Sequence, residues 1–561
     1  MRKFIAILIV GVMVMSILAG CGRRSESKVA NTGTKADQKG NKSSLTESSV
    51  KESVSGEMNQ AYDMATSNAS YEPQFHGGYL AEGESTGEFK LEEFNTEEYK
   101  SIKENGYVSV AYQPLSTFSA DVDTASYSNV RRMIQNGYFD GGAVRTEEMI
   151  NYFTYQYATP SSEEPFAVTT EYSKCPWNPD TKLMLVGIQT EKIDFSNTPP
   201  ANLVFLIDVS GSMMDDDKLP LVQKAFNLLT ENLTEKDRVS IVTYASGDTV
   251  VLEGANGIQR ETVMEAINNL YASGSTAGSK GIKTAYEIAQ KYFIPNGNNR
   301  VILATDGDLN VGLTSESELE NLITEKKETG IYLSVLGFGT GNIKDNKMEV
   351  LADKGNGNYA YIDSIMEAKK VLVDEMGATL VTVASDVKFQ IEFNPNLVKG
   401  YRLLGYENRM LATEDFEDDT KDAGEVGAGH SVTVLYEIVP VDSKMELSTT
   451  ELKYQNTTEP TMNKEELLTV SIRYKKPGES TSQLMQTVVN QASYANQMPD
   501  NLCFAACVAQ FSMMLRDSEY KGTASYESLI DQLTSDVIGN DSYREEFRSL
   551  VELAKKYKFI E

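Results

Sequence analysis

Histidine, cysteine and tryptophan are scarce in this chain, with two His, four Cys and one Trp in 561 residues. Imidazoles and thiols so few and so scattered exclude a zinc centre built from them. A metal here would be held by oxygen, which selects Mg²⁺, Mn²⁺ or Ca²⁺. Basic residues are also short: 52 Lys and Arg face 81 Asp and Glu, for a net charge of −29. A partner made of phosphates needs a basic face, so nucleic acid is excluded. An electrostatic hold on anionic lipid is excluded for the same reason.

Several catalytic signatures are missing too. Residues 274–281 contain Lys280 but not the spacing of a Walker A loop. Gly337-Phe338-Gly339-Thr340-Gly341 lacks the G-x-G-x-x-G spacing and the later acid of a dinucleotide site. Ser210 is outside any G-x-S-x-G, and His430 lies in a Gly-rich turn. A hydrolase therefore ranks third among the function classes, and the chain reads as a non-enzyme.

What the sequence does have begins with an address. Arg2 and Lys3 precede an apolar run over residues 4–19, shorter than the ~20 residues of a spanning helix. The run ends Leu18-Ala19-Gly20-Cys21, which resembles the bacterial lipobox. That resemblance implies cleavage before Cys21, lipidation of its sulfur, and an extracytoplasmic protein anchored to the cell membrane by lipid. Loss of residues 1–20 removes Arg2 and Lys3 and takes the charge from −29 to −31. Residues 22–61 contain no Phe, Tyr or Trp. Such a stretch buries too little apolar surface to offset its ordering entropy, so residues 21–75 are expected to be a disordered tether. His76 has no assigned role.

Hydrophobic residues make up 40% of the chain and aromatics 9%, enough for sizeable cores. Residues 95–195 read as a flank with short helices (126–136, 146–153) and period-2 strands near 166–172 and 183–188. The pattern changes over residues 200–380. There, apolar strand-like runs (203–209, 238–244, 301–305, 332–337, 359–362) alternate with helical segments (219–233, 261–270, 279–293, 316–328), and 250–252 reads as an edge strand. That alternation predicts a mainly parallel sheet covered on both faces. Residues 381–480 return to period 2, as in an antiparallel β-sandwich. Strands of one kind on both sides of the α/β segment predict that it is inserted into the β-domain. Residues 485–561 read as a helical region; the 502–515 helix is apolar almost all round, and Cys503 and Cys507 on it read as small buried residues.

The chemistry sits in Asp208-Val209-Ser210-Gly211-Ser212, at the end of a strand-like run and before a helix. Ligands of open α/β sheets bind at that edge. Oxygen-bearing side chains on alternate residues of a turn can converge on one hard cation. Gly274-Ser275-Thr276-Ala277 and Ala304-Thr305-Asp306-Gly307 supply further oxygens at the start of a helix and the end of a strand.

In order and spacing, these segments resemble a von Willebrand factor A domain of Rossmann-like fold. The resemblance implies that Asp208, Ser210, Ser212, Thr276 and Asp306 form a metal-ion-dependent adhesion site for Mg²⁺ or Mn²⁺. It also implies that an acidic side chain of a protein partner fills the ion's open position. Asp215 and Asp216 extend the pattern to D-x-S-x-S-x-x-D-D, which resembles the β-integrin version, where such a pair helps bind an adjacent Ca²⁺. Acids at a helix start also suit the helix dipole, so that pair keeps two readings. Asp121 and Asp123 form another acidic pair, read as a turn or cap rather than a calcium loop.

Residues 114–127 (PLSTFSADVDTASY), 147–153 (EEMINYF), 422–430 (DAGEVGAGH) and the 505–515 helix resemble the flanks of a bacterial YfbK-like lipoprotein family. The expectation is an envelope lipoprotein for adhesion or recognition. The alternative is a scaffold subunit of an envelope complex.

Overall fold

The computed structural model describes residues 96–100, 102–120, 123–161, 164–191, 198–275, 281–307, 316–375, 381–421, 423–447, 465–557 and 559. Cys21, His76, Asp121 and Thr276 lie outside the described residues.

The chain opens with strands β1 (Val108–Ser109) and β2 (Leu115–Ser119) and helices α1 (Ala125–Gln135) and α2 (Thr146–Asn151). The hairpin β3 (Phe166–Lys174) and β4 (Lys182–Thr190) follows. Next comes the α/β segment: β5 (Ala201–Asp208), α3 (Leu219–Glu231), β6 (Arg238–Tyr244), β7 (Asp248–Asn256), α4 (Arg260–Asn268) and α5 (Gly281–Lys291). It continues through β8 (Asn298–Thr305), α6 (Glu316–Glu328), β9 (Ile331–Phe338), α7 (Asp345–Lys354), β10 (Tyr359–Ile362) and α8 (Ile365–Lys369). Its six strands run in the order β10-β9-β8-β5-β6-β7, all parallel except the edge strand β7.

The alternation along β5 explains the layering. All eight of its residues are buried. Leu203, Phe205 and Ile207 enter one core, where Phe205 stacks on Phe226 of α3 at 4.3 Å. Val204 and Leu206 enter the opposite core with Ile282 and Tyr286 of α5. A strand buried on both faces has no polar side to show, which is why its sequence is an unbroken apolar run.

After α8 the chain forms β11 (Thr382–Phe393), β12 (Val398–Leu404), β13 (Gly424–Gly427), β14 (Ser431–Pro440), β15 (Glu466–Lys475) and β16 (Gln483–Asn490). One sheet has the order β1-β12-β14-β4-β3; the facing sheet has the order β13-β11-β15-β16, with β2 also on β11. β4 pairs with β14, from Ser431 opposite Gln189 to Ile438 opposite Lys182. Strands from before and after the α/β segment thus share a ladder. Met184, Val186, Val432, Val434 and Tyr436 fill the core between the two sheets.

Residues 483–490 are strand, so the helical reading from residue 485 starts too early. Leu484, Gln486 and Val488 point outward and their neighbours are more buried, a period-2 pattern on an edge. The helices that do form are α9 (Asp500–Leu515), α10 (Tyr526–Gln532), α11 (Ser535–Ile538) and α12 (Ser542–Tyr557). α9 is apolar all round because its neighbours cover it on every side. Leu183, Leu185 and Leu435 reach it from the outer face of the sheet, and Tyr127, Phe153 and Phe547 from α1, the end of α2 and α12. Cys507 is buried and Cys503 half-buried, both as free thiols.

Buried ion pairs join the layers. Arg131 on α1 binds Asp363 and Glu367 at the end of the α/β segment, and Glu546 on α12. Arg145 binds Asp345 and Glu349 of α7 at 2.7 and 3.0 Å. Of the Asp121 and Asp123 pair only Asp123 is among the described residues, and it accepts from the Tyr359 amide at 2.9 Å and pairs with Arg409 at 3.1 Å.

Candidate metal centre

Parallel pairing brings the site together. Ile207 lies opposite Ala304, so β5 and β8 end level, with Asp208 and Asp306 at their carboxyl ends. The loop after β5 is held from two sides. The Val209 amide donates to the Tyr244 carbonyl at the end of β6. Ser273 N–H donates to the Val209 carbonyl at 2.8 Å, and Gly211 N–H to the Gly274 carbonyl at 3.0 Å. A Cβ on Gly211 would sit 3.0 Å from that Gly274 oxygen, so glycine permits the close approach. Met213, wholly buried, pins the single 3₁₀ turn at Gly211–Met214 to the core.

Within this frame Asp208 Oδ1 accepts from the Ser210 amide at 2.9 Å, and the Ser210 and Ser212 hydroxyls are 2.9 Å apart. Asp208, Ser210 and Asp306 are buried, whereas Ser212 is exposed. The result is an oxygen-lined floor with one open side. Asp208 Oδ2 is buried without a partner at good hydrogen-bond geometry, although the buried Tyr244 hydroxyl stands close enough to hold the carboxyl down a little. Burial, with a smaller push from the Asp306 charge, raises the Asp208 carboxyl to about 6. A buried acid with one orphan oxygen, beside a second acid and two hydroxyls, is poised for a cation. These donors fit a small hard ion such as Mg²⁺ or Mn²⁺.

The fit has one unexpected member. Lys218 is buried, and its ammonium donates to the Ser212 carbonyl at 2.8 Å and to Asp306 Oδ2 at 3.2 Å. Its alkyl chain lies against Gly339, where a Cβ would come within 2.4 Å of the Lys218 Cγ. Sequence reasoning missed Lys218; the available signal was a lone base just after three acids, at a helix start where the dipole disfavours it. Asp215 is exposed and 3.6 Å from the Lys218 ammonium, and Asp216 is exposed. Thr276 falls two residues beyond Gly274, outside the described residues. His430 is distant in role: its carbonyl accepts from the Thr190 amide at 3.0 Å.

Known proteins resemble this chain in sequence. Residues 202–374 match the family model described as von Willebrand factor type A domain. Residues 93–185 match one described as von Willebrand factor, and residues 378–557 one described as the C-terminal part of the uncharacterized protein YfbK. The uncharacterized protein YfbK of Escherichia coli (strain K12) is 40% identical over 469 residues, covering 82% of this chain and 81% of its own length. The chain belongs to the YfbK family. Outside that family, inter-alpha-trypsin inhibitor heavy chain H3 of Mesocricetus auratus is 25% identical over 166 residues, 28% of this chain and 18% of that protein. The solved structure of a von Willebrand factor type A protein from Catenulispora acidiphila is 14% identical with a TM-score of 0.38, covering 82% of this chain and 91% of that one. The YfbK-family chain thus carries an A domain with strands and helices on both flanks, an assembly that points to protein–protein interaction or adhesion.

Proposed function

We propose that this YfbK-family protein is an envelope lipoprotein that binds a protein partner through a divalent ion at Asp208. The observation that carries the reading is the orphaned, buried Asp208 oxygen beside the Ser210 and Ser212 hydroxyls and Asp306. Asp208, Ser210, Ser212, Thr276 and Asp306 would hold Mg²⁺ or Mn²⁺. With only two charged donors in that set, the ion stays electrophilic, and a Glu or Asp of the partner completes its shell. The exposed side of the site at Ser212 leaves room for that side chain. Asp215 and Asp216 would at most tune an adjacent Ca²⁺.

The proposed role is binding rather than catalysis, with the A domain inserted in the β-sandwich and held to the membrane by a lipid on Cys21. The test begins with calorimetric titration of Mg²⁺ and Mn²⁺ into the wild type and Asp208→Ala. Crosslinked pull-downs from intact cells follow, with and without EDTA. Saturable binding lost in Asp208→Ala, and partner capture lost with EDTA, are the expected results. Equal metal binding by both chains would sink the reading. Cys21→Ser is expected to move the protein from membrane to soluble or precursor fractions; unchanged partitioning and mass would remove the anchor from the proposal.

A further inference from the structure

The two most exposed large hydrophobic side chains among the described residues are Tyr271, 75% exposed, and Met214, 66% exposed. Both stand in loops that frame the metal edge. Met214 ends the 3₁₀ turn that carries Ser212. Tyr271 lies two residues before Ser273, whose amide holds the Val209 carbonyl. Single apolar residues on a surface are ordinary, but apolar residues gathered along a groove mark an interaction site.

Such a groove, of about 580 Å³, lies between α4 and the β6–β7 hairpin. Ala245, Val251 and Leu252 line it from the sheet side and Ala266 from the helix. Tyr271 lines it too, as does Val209 from the metal loop itself, so groove and metal edge are continuous. Among the described lining residues only Glu265 is charged. A second acid is therefore repelled from the groove, whereas an uncharged aliphatic side chain gains by leaving water. Strand spacing sets the reach. β5, which ends in Asp208, neighbours β6, and β7 lies one strand further. With strands about 4.8 Å apart, the groove stands roughly 5–10 Å to the side of the metal strand. In an extended peptide, residues two apart face the same way and are separated by about 6.5 Å.

We propose that the partner of the metal site carries, on one extended segment, an acidic residue for the ion and a large aliphatic residue two positions away for this groove. The proposal rests on the metal-dependent reading above and names the chemistry of its partner. The acid makes binding depend on the ion. The aliphatic side chain selects among the many acids that any protein surface offers, and Val251 and Tyr271 are the residues that make the selection.

The test is fluorescence polarisation of labelled Ser/Thr-rich peptides with the whole chain in Mg²⁺. Each peptide has a central Glu and a Leu one, two or three positions away, or none; a further peptide has the Leu without the Glu. Leu two positions from Glu, on one side or the other, should bind about tenfold more tightly than Glu alone, and EDTA should abolish that binding. Val251→Asp and Tyr271→Ser should each remove most of the gain from Leu while leaving Mg²⁺ binding by calorimetry unchanged, which also shows that the A domain is folded. If Mg²⁺ binds but Leu adds nothing, or adds as much at the other spacings, the groove proposal is overturned and the metal site stands. No peptide binding to the Mg²⁺-loaded chain, an undiminished gain in folded Val251→Asp, or equal binding without Glu or in EDTA would also overturn it. If the wild type binds no Mg²⁺, the metal reading fails and this proposal falls with it.

Discussion

The Lys218 ammonium sits 3.2 Å from Asp306 Oδ2, on the floor of the site proposed for a divalent ion. It offsets one of the two acids there while leaving Asp208 Oδ2 without a partner at good hydrogen-bond geometry. A fixed positive charge this close opposes an incoming cation, and burial limits its screening. Lys218→Met should therefore bind Mg²⁺ about tenfold more tightly by calorimetry, a gain of about 1.4 kcal/mol. The same variant should melt lower than wild type in EDTA, because both acids then lack a cation, and recover more on adding Mg²⁺. Weaker Mg²⁺ binding would mean that Lys218 positions Asp306 instead of competing with the ion.

Arg131 joins α1, the end of the A domain and α12 through Asp363, Glu367 and Glu546. Removing one partner of a buried pair leaves uncompensated charge, at a cost of about 3–5 kcal/mol. Arg131→Met should lower unfolding free energy by that amount. It should also separate the A domain from the rest, seen as a second transition in denaturant. A single unshifted transition would show that the Tyr127 and Tyr152 packing alone holds the layers together.

Much of this was legible in the chain because it is local. Asp208, Ser210 and Ser212 lie within one turn, and strands buried on both faces announce themselves as apolar runs. Asp306 was readable as the acid at the end of such a run. What escaped is what depends on distant neighbours. Lys218 reaches Asp306 across 88 residues, guided by a glycine that permits its path. Asp123 looked like a turn acid because its partners, Arg409 and the Tyr359 amide, are more than 200 residues away. Strand β7 extends over Asp248–Asn256, well beyond the apolar residues 250–252, because pairing with β6 supplies its hydrogen bonds. Strand β2 reads as an ordinary polar stretch until β11 pairs with it.

Glu407 supplies a pH dependence. Its side chain is 7% exposed, its Oε2 has no hydrogen-bond partner, and the Arg516 guanidinium is 3.6 Å away. Burial, then the Glu147 charge, push its pKa up from 4.5 to about 7. The folded state thus holds a proton that the unfolded chain releases earlier. The stability this contributes is fully present below the unfolded value and lost as pH rises through about 7. Glu407→Gln keeps the shape without the charge. Its unfolding free energy relative to wild type should rise between about pH 4.5 and 7 and level off about 3 kcal/mol higher. Parallel stability curves for the two proteins would refute it.

Gly339 gives the sharpest test of the Lys218 arrangement. Its φ of +76° suits glycine, and its missing Cβ is the space through which the Lys218 chain passes. Gly339→Ala adds left-handed strain of about 1 kcal/mol and drives a methyl into that chain. The displaced ammonium should leave Asp306, so the variant should lose stability in EDTA and bind Mg²⁺ more tightly, as Lys218→Met does. Both changes act through one contact, so they should not add. In a double-mutant cycle, adding Gly339→Ala to Lys218→Met should cost the backbone strain and the clash with the Met chain on the same path, but leave Mg²⁺ affinity where Lys218→Met put it. Additive effects on affinity would show that Gly339 acts on the metal edge by another route, and Lys218 would lose its place as the cation that Mg²⁺ must outcompete.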